Sequence, residues 1–228
     1  MDPLSSASDL GGDPASPTLR ECAAMSNMVD LRVSALLCAR LCHELSGPIA
    51  AINNGLELLA DNDRDYVHDA VTLIGVSARQ AVDRLQFYRF AYGFSGGTIA
   101  PGVQPHDIAG RLFDGSRITC EYGEGAAALP LERQRLACNL LLLGAEALPR
   151  GGHLVFDAAT LEVKAIGEAA ALSPETVAAL TLVTPVDALT SRTVQGYFAG
   201  VLAASLGCLL VWAAGPRRVR LAAVASAD

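Results

Sequence analysis

Six consecutive residues hold the reactive groups of this chain: His43-Glu44-Leu45-Ser46-Gly47-Pro48. A histidine in water titrates at about 6.5, so its ring nitrogen is a competent nucleophile near neutral pH. Glu44 sets a carboxylate beside it, a group able to orient a ring or take up its proton. Gly47 and Pro48 follow within a turn, although Gly and Pro disfavour a helix interior by about 1 and about 3 kcal/mol relative to Ala. Pro48 also lacks the N–H that would pair with the Glu44 carbonyl, so the helix is expected to bend or loosen there. A local rule broken beside a nucleophile marks an expected functional site. His68, His106 and His153 stand alone and read as surface or structural residues.

Those residues need a helix to hold them. Apolar periodicity predicts one from about Asp30 to Leu59, with Asp30 as N-cap. After the polar turn Asp61–Asp65, a second helix runs from about Asp65 to Tyr92 and stops at Gly93-Phe94-Ser95-Gly96-Gly97. Two helices joined by a short turn make an antiparallel hairpin. At about 100° per residue, Leu41, Leu45, Ile52, Leu56 and Leu59 form one apolar stripe, with His43 on the opposite side. Gly47, Ala50 and Asn54 share the His43 side, and so small a surface would let another protein approach the imidazole. Arg40 lies one turn earlier and reads either as a contact for a charged partner or as a solvated residue. Asn53, Asn54 and Glu57 continue toward the hairpin turn as docking candidates. A lone hairpin buries little apolar surface, so a homodimer closing a four-helix bundle is expected.

The bulk properties set the frame. The 228 residues are 51% hydrophobic, enough for a sizeable core. A net charge of -7 and a pI near 5.1 argue against a nucleic-acid binder. The one dense basic run, Pro216-Arg217-Arg218-Val219-Arg220, fits a hairpin turn and an exposed strand face. Six cysteines without a CxxC pair read as reduced thiols, and Cys38-x3-Cys42-His43 lacks a second half-site for a metal. The start of the chain has neither the basic nor the apolar region of a signal peptide, so a cytoplasmic protein is expected. The uncharged stretch 198–215 reads as a buried helix, a Gly stop and a strand rather than a membrane span.

Three regions follow: a flexible tail over residues 1–28, the hairpin over 29–97 and an α/β sandwich over 98–228. The fold class is therefore α+β. In the third region helices are predicted near 106–113, 131–148, 173–180 and 193–206. Strands are predicted near 117–122, 153–157, 161–165, 208–213 and 217–224, with helices on one sheet face and Trp212 in the core.

Leu41 to Ile49 resembles the H-box of dimerising histidine-kinase domains, whose core reads His-Glu/Asp-Leu-x-x-Pro-Leu/Ile. The stretch from Asn139 to Gly152 is similar to the N-box of a histidine-kinase ATP-binding domain. That family places a second, Mg²⁺-holding Asn four residues after the first, where this chain has Leu143. Its adenine-binding Asp-x-Gly-x-Gly corresponds to Ala165-Ile166-Gly167-Glu168-Ala169, with Ala165 at the Asp position. The Gly-rich lid is reduced to Gln195-Gly196-Tyr197. Leucine cannot ligate a hard cation, and alanine cannot accept the hydrogen bond of an adenine amine.

A kinase-like shell with a histidine but no nucleotide site resembles the ChpT-type histidine phosphotransferases. The resemblance implies that His43 accepts a phosphoryl group from the receiver domain of a hybrid histidine kinase and passes it to response regulators. It also implies that Glu44 orients the imidazole or acts as base, and that Arg40, Gly47, Ala50, Asn54 and Glu57 face the receiver. Pro48 then shapes the site, and Asn139, Leu143, Ala165 and Gly167 are relics of the nucleotide pocket. No ATP or metal would be bound by the chain, the receiver bringing Mg²⁺. Gly47 stands where phosphatase-active kinases often carry Thr or Asn, which implies little phosphatase activity. The alternatives are an ATP-dependent kinase with an atypical site and a non-catalytic adaptor for response regulators.

Overall fold

The computed structural model describes residues 30–60, 66–93, 105–122 and 125–226. The predicted tail, the Asp61–Asp65 turn, Gly96-Gly97 and the junction near residue 98 lie outside the described residues, as does the side chain of His106.

Helix α1 spans Leu31–Ala60 and α2 spans Val67–Tyr92. The Asp30 side chain accepts a hydrogen bond from the Arg32 N–H at 2.8 Å, as an N-cap aspartate should. The two helices pair along a seam through Gly55, where an added Cβ would sit 2.6 Å from Ile74 Cγ1 and 3.2 Å from the Ala70 carbonyl. Any side chain at that position would push the hairpin apart. Pro48, on the same side of α1 as Gly55, is buried.

The predicted stripe lies on the same side of α1 as this seam, with Leu41, Leu45, Ile52 and Leu59 half-buried. The helices meet along the small residues, and Leu56 of the apolar stripe stays 53% exposed. The cause is steric, since small residues permit the close approach that leucines would block. Pro48 lies inside the helix, which continues for three turns beyond it, as the predicted span requires.

Helix α3 (Pro105–Phe113) leads into strand β1 (Ile118–Tyr122). Helix α4 (Leu131–Glu146) is followed by β2 (Gly152–Asp157), β3 (Glu162–Ile166), α5 (Pro174–Leu180), α6 (Val194–Ser205), β4 (Cys208–Gly215) and β5 (Arg218–Ala225). The sheet order is β1-β2-β3-β5-β4. The β1–β2 pair is parallel, and the other three pairs are antiparallel. Alternation buries Leu154, Phe156, Val163, Ala165, Val219 and Leu221 on one face. There they meet Leu136, Leu140, Leu141 and Leu143 of α4, a helix buried on every side from Gln134 to Gly144. The opposite face carries Thr119, Glu121, His153, Lys164 and Arg220, so the helices do lie on one side of the sheet.

The uncharged stretch 198–215 is divided as expected into α6 and β4, with Gly207 in a left-handed turn (φ 67°) between them. Trp212 is not core. It is 42% exposed, because β4 is the outermost strand and only Cys208 and Leu210 at its start are buried. Among the described residues, α1 is the one helix long and apolar enough by composition to cross a membrane.

Candidate functional site

Helix α1 rests on the C-terminal half only over its first third. Val33 is buried with Ala179, Leu189 and Val194, and the Arg32 guanidinium donates to the Leu189 carbonyl at 2.9 Å. Leu41 packs against the main core. From there the helix leaves the domain, and His43 stands on the exposed surface just beyond. Gly47, Ala50 and Asn54 are exposed on the same side, and nothing lies within 4 Å of a Cβ built at Gly47. Close access to the imidazole is therefore open. Glu57 is exposed and accepts a hydrogen bond from Asn53 Nδ2 at 2.6 Å. The Ser46 hydroxyl donates to the Cys42 carbonyl at 2.7 Å.

His43 and Glu44 line a cleft of about 1200 Å³ between α1 and the C-terminal half. Its far wall is built from Ser173 and Thr176 at the start of α5 and from Thr190, Arg192 and Thr193 before α6. Ser173 caps α5, its hydroxyl accepting from the Thr176 N–H at 3.1 Å. Sequence reasoning missed this wall, because short polar loops carry no periodicity that would bring them opposite a helix some 130 residues away.

Arg40 is where the sequence expectation changes most. Its side chain is turned inward, only 12% exposed, and its guanidinium meets Glu146 Oε1 at 2.5 Å. The Tyr88 and Tyr92 hydroxyls hydrogen-bond the same guanidinium. Burial pushes both phenols well above their ordinary range, so they stay protonated. Burial also raises the Glu146 carboxyl, and Arg40 opposes that rise. For Arg40 burial works against the charge, but Glu146 leads the contributions that leave its pKa raised. We take the pair as ionised, because each charge has its opposite in direct contact. Arg40 is therefore neither solvated nor free. The signal that went unread was Glu146, the single charge in the apolar run Leu140–Leu148, where a buried carboxylate needs a partner.

The positions equivalent to a nucleotide pocket are filled from within. Asn139 is fully buried, and its Nδ2 donates to the Ala91 and Arg135 carbonyls, both at 2.9 Å. Its Oδ1 accepts from Gln195 Nε2 at 2.9 Å, and Gln195 Oε1 accepts from the Tyr92 hydroxyl at 2.7 Å. Leu143 and Ala165 are fully buried core residues. The Gly167 N–H donates to the Arg217 carbonyl at 3.0 Å, and a Cβ there would sit 2.6 Å from the Gly151 carbonyl. These residues do not fit a Mg-nucleotide: the one amide is spent on the protein and the remaining positions offer no oxygen.

Among the described residues no group of three His, Cys, Asp or Glu is placed to hold a metal ion. Cys120 and Cys138 are free thiols pushed up to about 12 by burial, which keeps them protonated and unreactive.

Comparison with known proteins agrees with this arrangement. Residues 104–218 match the family model for the histidine phosphotransferase C-terminal domain. The chain is 41% identical over 129 residues to the Protein phosphotransferase ChpT of Brucella abortus (strain 2308), covering 54% of this chain and 59% of that protein. The match thus spans less than two thirds of that relative's length. A solved structure titled "1.7 Angstrom Structure of a Bacterial Phosphotransferase" superposes with a TM-score of 0.69 at 29% identity, covering 87% of this chain and 98% of the other.

Proposed function

Since the chain belongs to the histidine phosphotransferase family, we propose that His43 carries a phosphoryl group between aspartates of receiver domains. The observation that bears most weight is the exposed imidazole on a small-residue face, at the mouth of a cleft opposite a domain with no room for nucleotide. A His43 ring nitrogen attacks the phosphorus of a receiver aspartyl phosphate. The P–N bond forms as the P–O bond to the aspartate breaks, and the ring proton passes to Glu44 or water. Attack by a second receiver aspartate reverses the step. Both bonds are high in energy, so catalysis is chiefly in-line positioning and charge neutralisation. The incoming receiver supplies Mg²⁺ and a cation, and this chain binds neither metal nor ATP. The donor is the receiver of a hybrid histidine kinase and the acceptors are response regulators, which places the reaction in the cytoplasm.

A homodimer completes the reading. Ile49 and Leu56 on α1 are exposed, as are Val67, Val71, Val82 and Leu85 on α2. At about 100° per residue each set falls on one side of its helix. Both sides lie next to the hairpin seam, as a four-helix bundle requires. Ile49→Glu should convert dimer to monomer in sedimentation, and a wild-type chain that sediments as a monomer at micromolar concentration would remove this part of the proposal.

The deciding experiment mixes the purified chain with an isolated receiver domain carrying radiolabelled aspartyl phosphate. Acid-labile, base-stable label should reach the wild-type chain and not His43→Ala. Labelling by ATP alone would favour a kinase. A His43→Ala chain that still supports the whole pathway would favour an adaptor.

A further inference from the structure

We infer that Arg40 and Glu146 are positioning residues for phosphoryl transfer: their ion pair fixes where α1 leaves the C-terminal domain and so sets the cleft in front of His43. The inference rests on the function proposed above. Three observations support it. The pair is the last polar contact between α1 and the domain before the nucleophile, one turn upstream of it. Arg40, His43, Glu44 and Glu146 all line the same cleft. The pair is also tied inward: Arg40 bonds Tyr92, Tyr92 bonds Gln195, and Gln195 bonds Asn139. Asn139 in turn holds the Ala91 carbonyl at the end of α2. One chain of polar contacts therefore joins α1, α2, α4 and α6.

A stabilising role does not account for the pair. A buried ion pair is often no more stable than apolar residues of the same shape, whereas it does specify a geometry. The position needs specifying, because α1 buries only Val33, Pro48 and Gly55 of its own residues in this chain. Beyond Leu41 the buried residues of α1 are Pro48 and Gly55, and Gly55 packs on α2 rather than on the wall of the cleft. The buried Asn139 is thereby part of the strut that orients the hairpin.

The test uses the full-length chain and an isolated response-regulator receiver domain bearing radiolabelled aspartyl phosphate. Single-turnover transfer is followed against receiver concentration, which separates docking affinity from the maximal rate. Arg40→Gln and Glu146→Gln should each lower the maximal rate by about 10- to 100-fold, the scale of a misplacement of about 1 Å. The exchanged pair, Arg40→Glu with Glu146→Arg, should recover most of that loss.

Recovery distinguishes a strut from a cation acting on the phosphoryl group, since the exchange puts a carboxylate at position 40. Wild-type rates in both single variants would overturn the inference. So would an exchanged pair that folds, by circular dichroism, yet transfers no faster than the singles. If the single variants do not fold, the folded exchanged pair decides alone, its rate read against wild type. If the exchange does not fold, Arg40→Lys decides, with a rate between wild type and Arg40→Gln expected and a wild-type rate contrary. Failure of the functional proposal looks different: the wild-type chain would take no label, or His43→Ala would keep it.

Discussion

The two halves of this molecule treat their inherited polar positions in opposite ways. On α1 the His43 side chain is exposed beside a surface of Gly47, Ala50 and Asn54, with open space at Gly47. In the C-terminal half the corresponding positions point inward and are satisfied by the protein: Asn139 by Ala91, Arg135 and Gln195, and Leu143 and Ala165 by core packing. A group kept open is available to a partner. A group closed by its neighbours has become architecture. An exposed histidine and a self-filled interior can coexist in one chain, because they occupy different surfaces.

That contrast can be broken in several places. The largest effect is expected at the open group: His43→Ala should abolish labelling by a phosphorylated receiver while leaving the urea midpoint unchanged. A change in midpoint would mean that the imidazole belongs to the fold after all. Next, Leu143→Asn restores the amide of a nucleotide-binding N-box but buries it among leucines. It should destabilise by about 3 kcal/mol, from lost apolar packing and an unpaired polar group, and calorimetry should show no Mg-ATP binding. Nucleotide binding by that variant would show the pocket to be one substitution from function rather than rebuilt.

Asn139→Ala removes a structural amide. It should cost about 1–3 kcal/mol by leaving Gln195 and the Ala91 carbonyl unpaired, with a further loss of transfer rate through the Arg40 strut. Stability and rate that both match wild type would sever the proposed link between the halves. The smallest effect sharpens the contrast from the sheet's solvent face. The Arg220 guanidinium hydrogen-bonded to Glu162, chiefly, holds that carboxyl below its ordinary 4.5. A depressed folded pKa contributes stability that is present above about pH 4.5 and fades as pH falls through the folded value. Urea midpoints of wild type and Glu162→Gln should therefore differ slightly at pH 7 and converge in acid.

Much of the fold was legible locally. Asp30 as cap, the span of α1 and α2, and the strand and helix order of the C-terminal half follow from periodicity, capping and Gly or Pro stops, which act over a few residues. The outward direction of His43 followed from helical angle alone. What went unread involves contacts between distant segments. Arg40 read as a partner contact or a solvated residue because Glu146, which it meets, lies 106 residues on. Trp212 looked buried because β4 reads as a core strand until its place at the sheet edge is known.

The sequence alone thus determined most of the helices and strands, the outward direction of His43, and the absence of side-chain oxygens at Leu143 and Ala165. These are properties of residue type and short spacing. Only the tertiary structure decided that Arg40 is turned inward against Glu146 rather than out to solvent, that Asn139 is bonded to Gln195 and Ala91, and that polar loops from two other segments face His43 across a cleft. Each of those depends on packing between elements far apart in the chain, where burial and chain crossing, not local preference, select the partner.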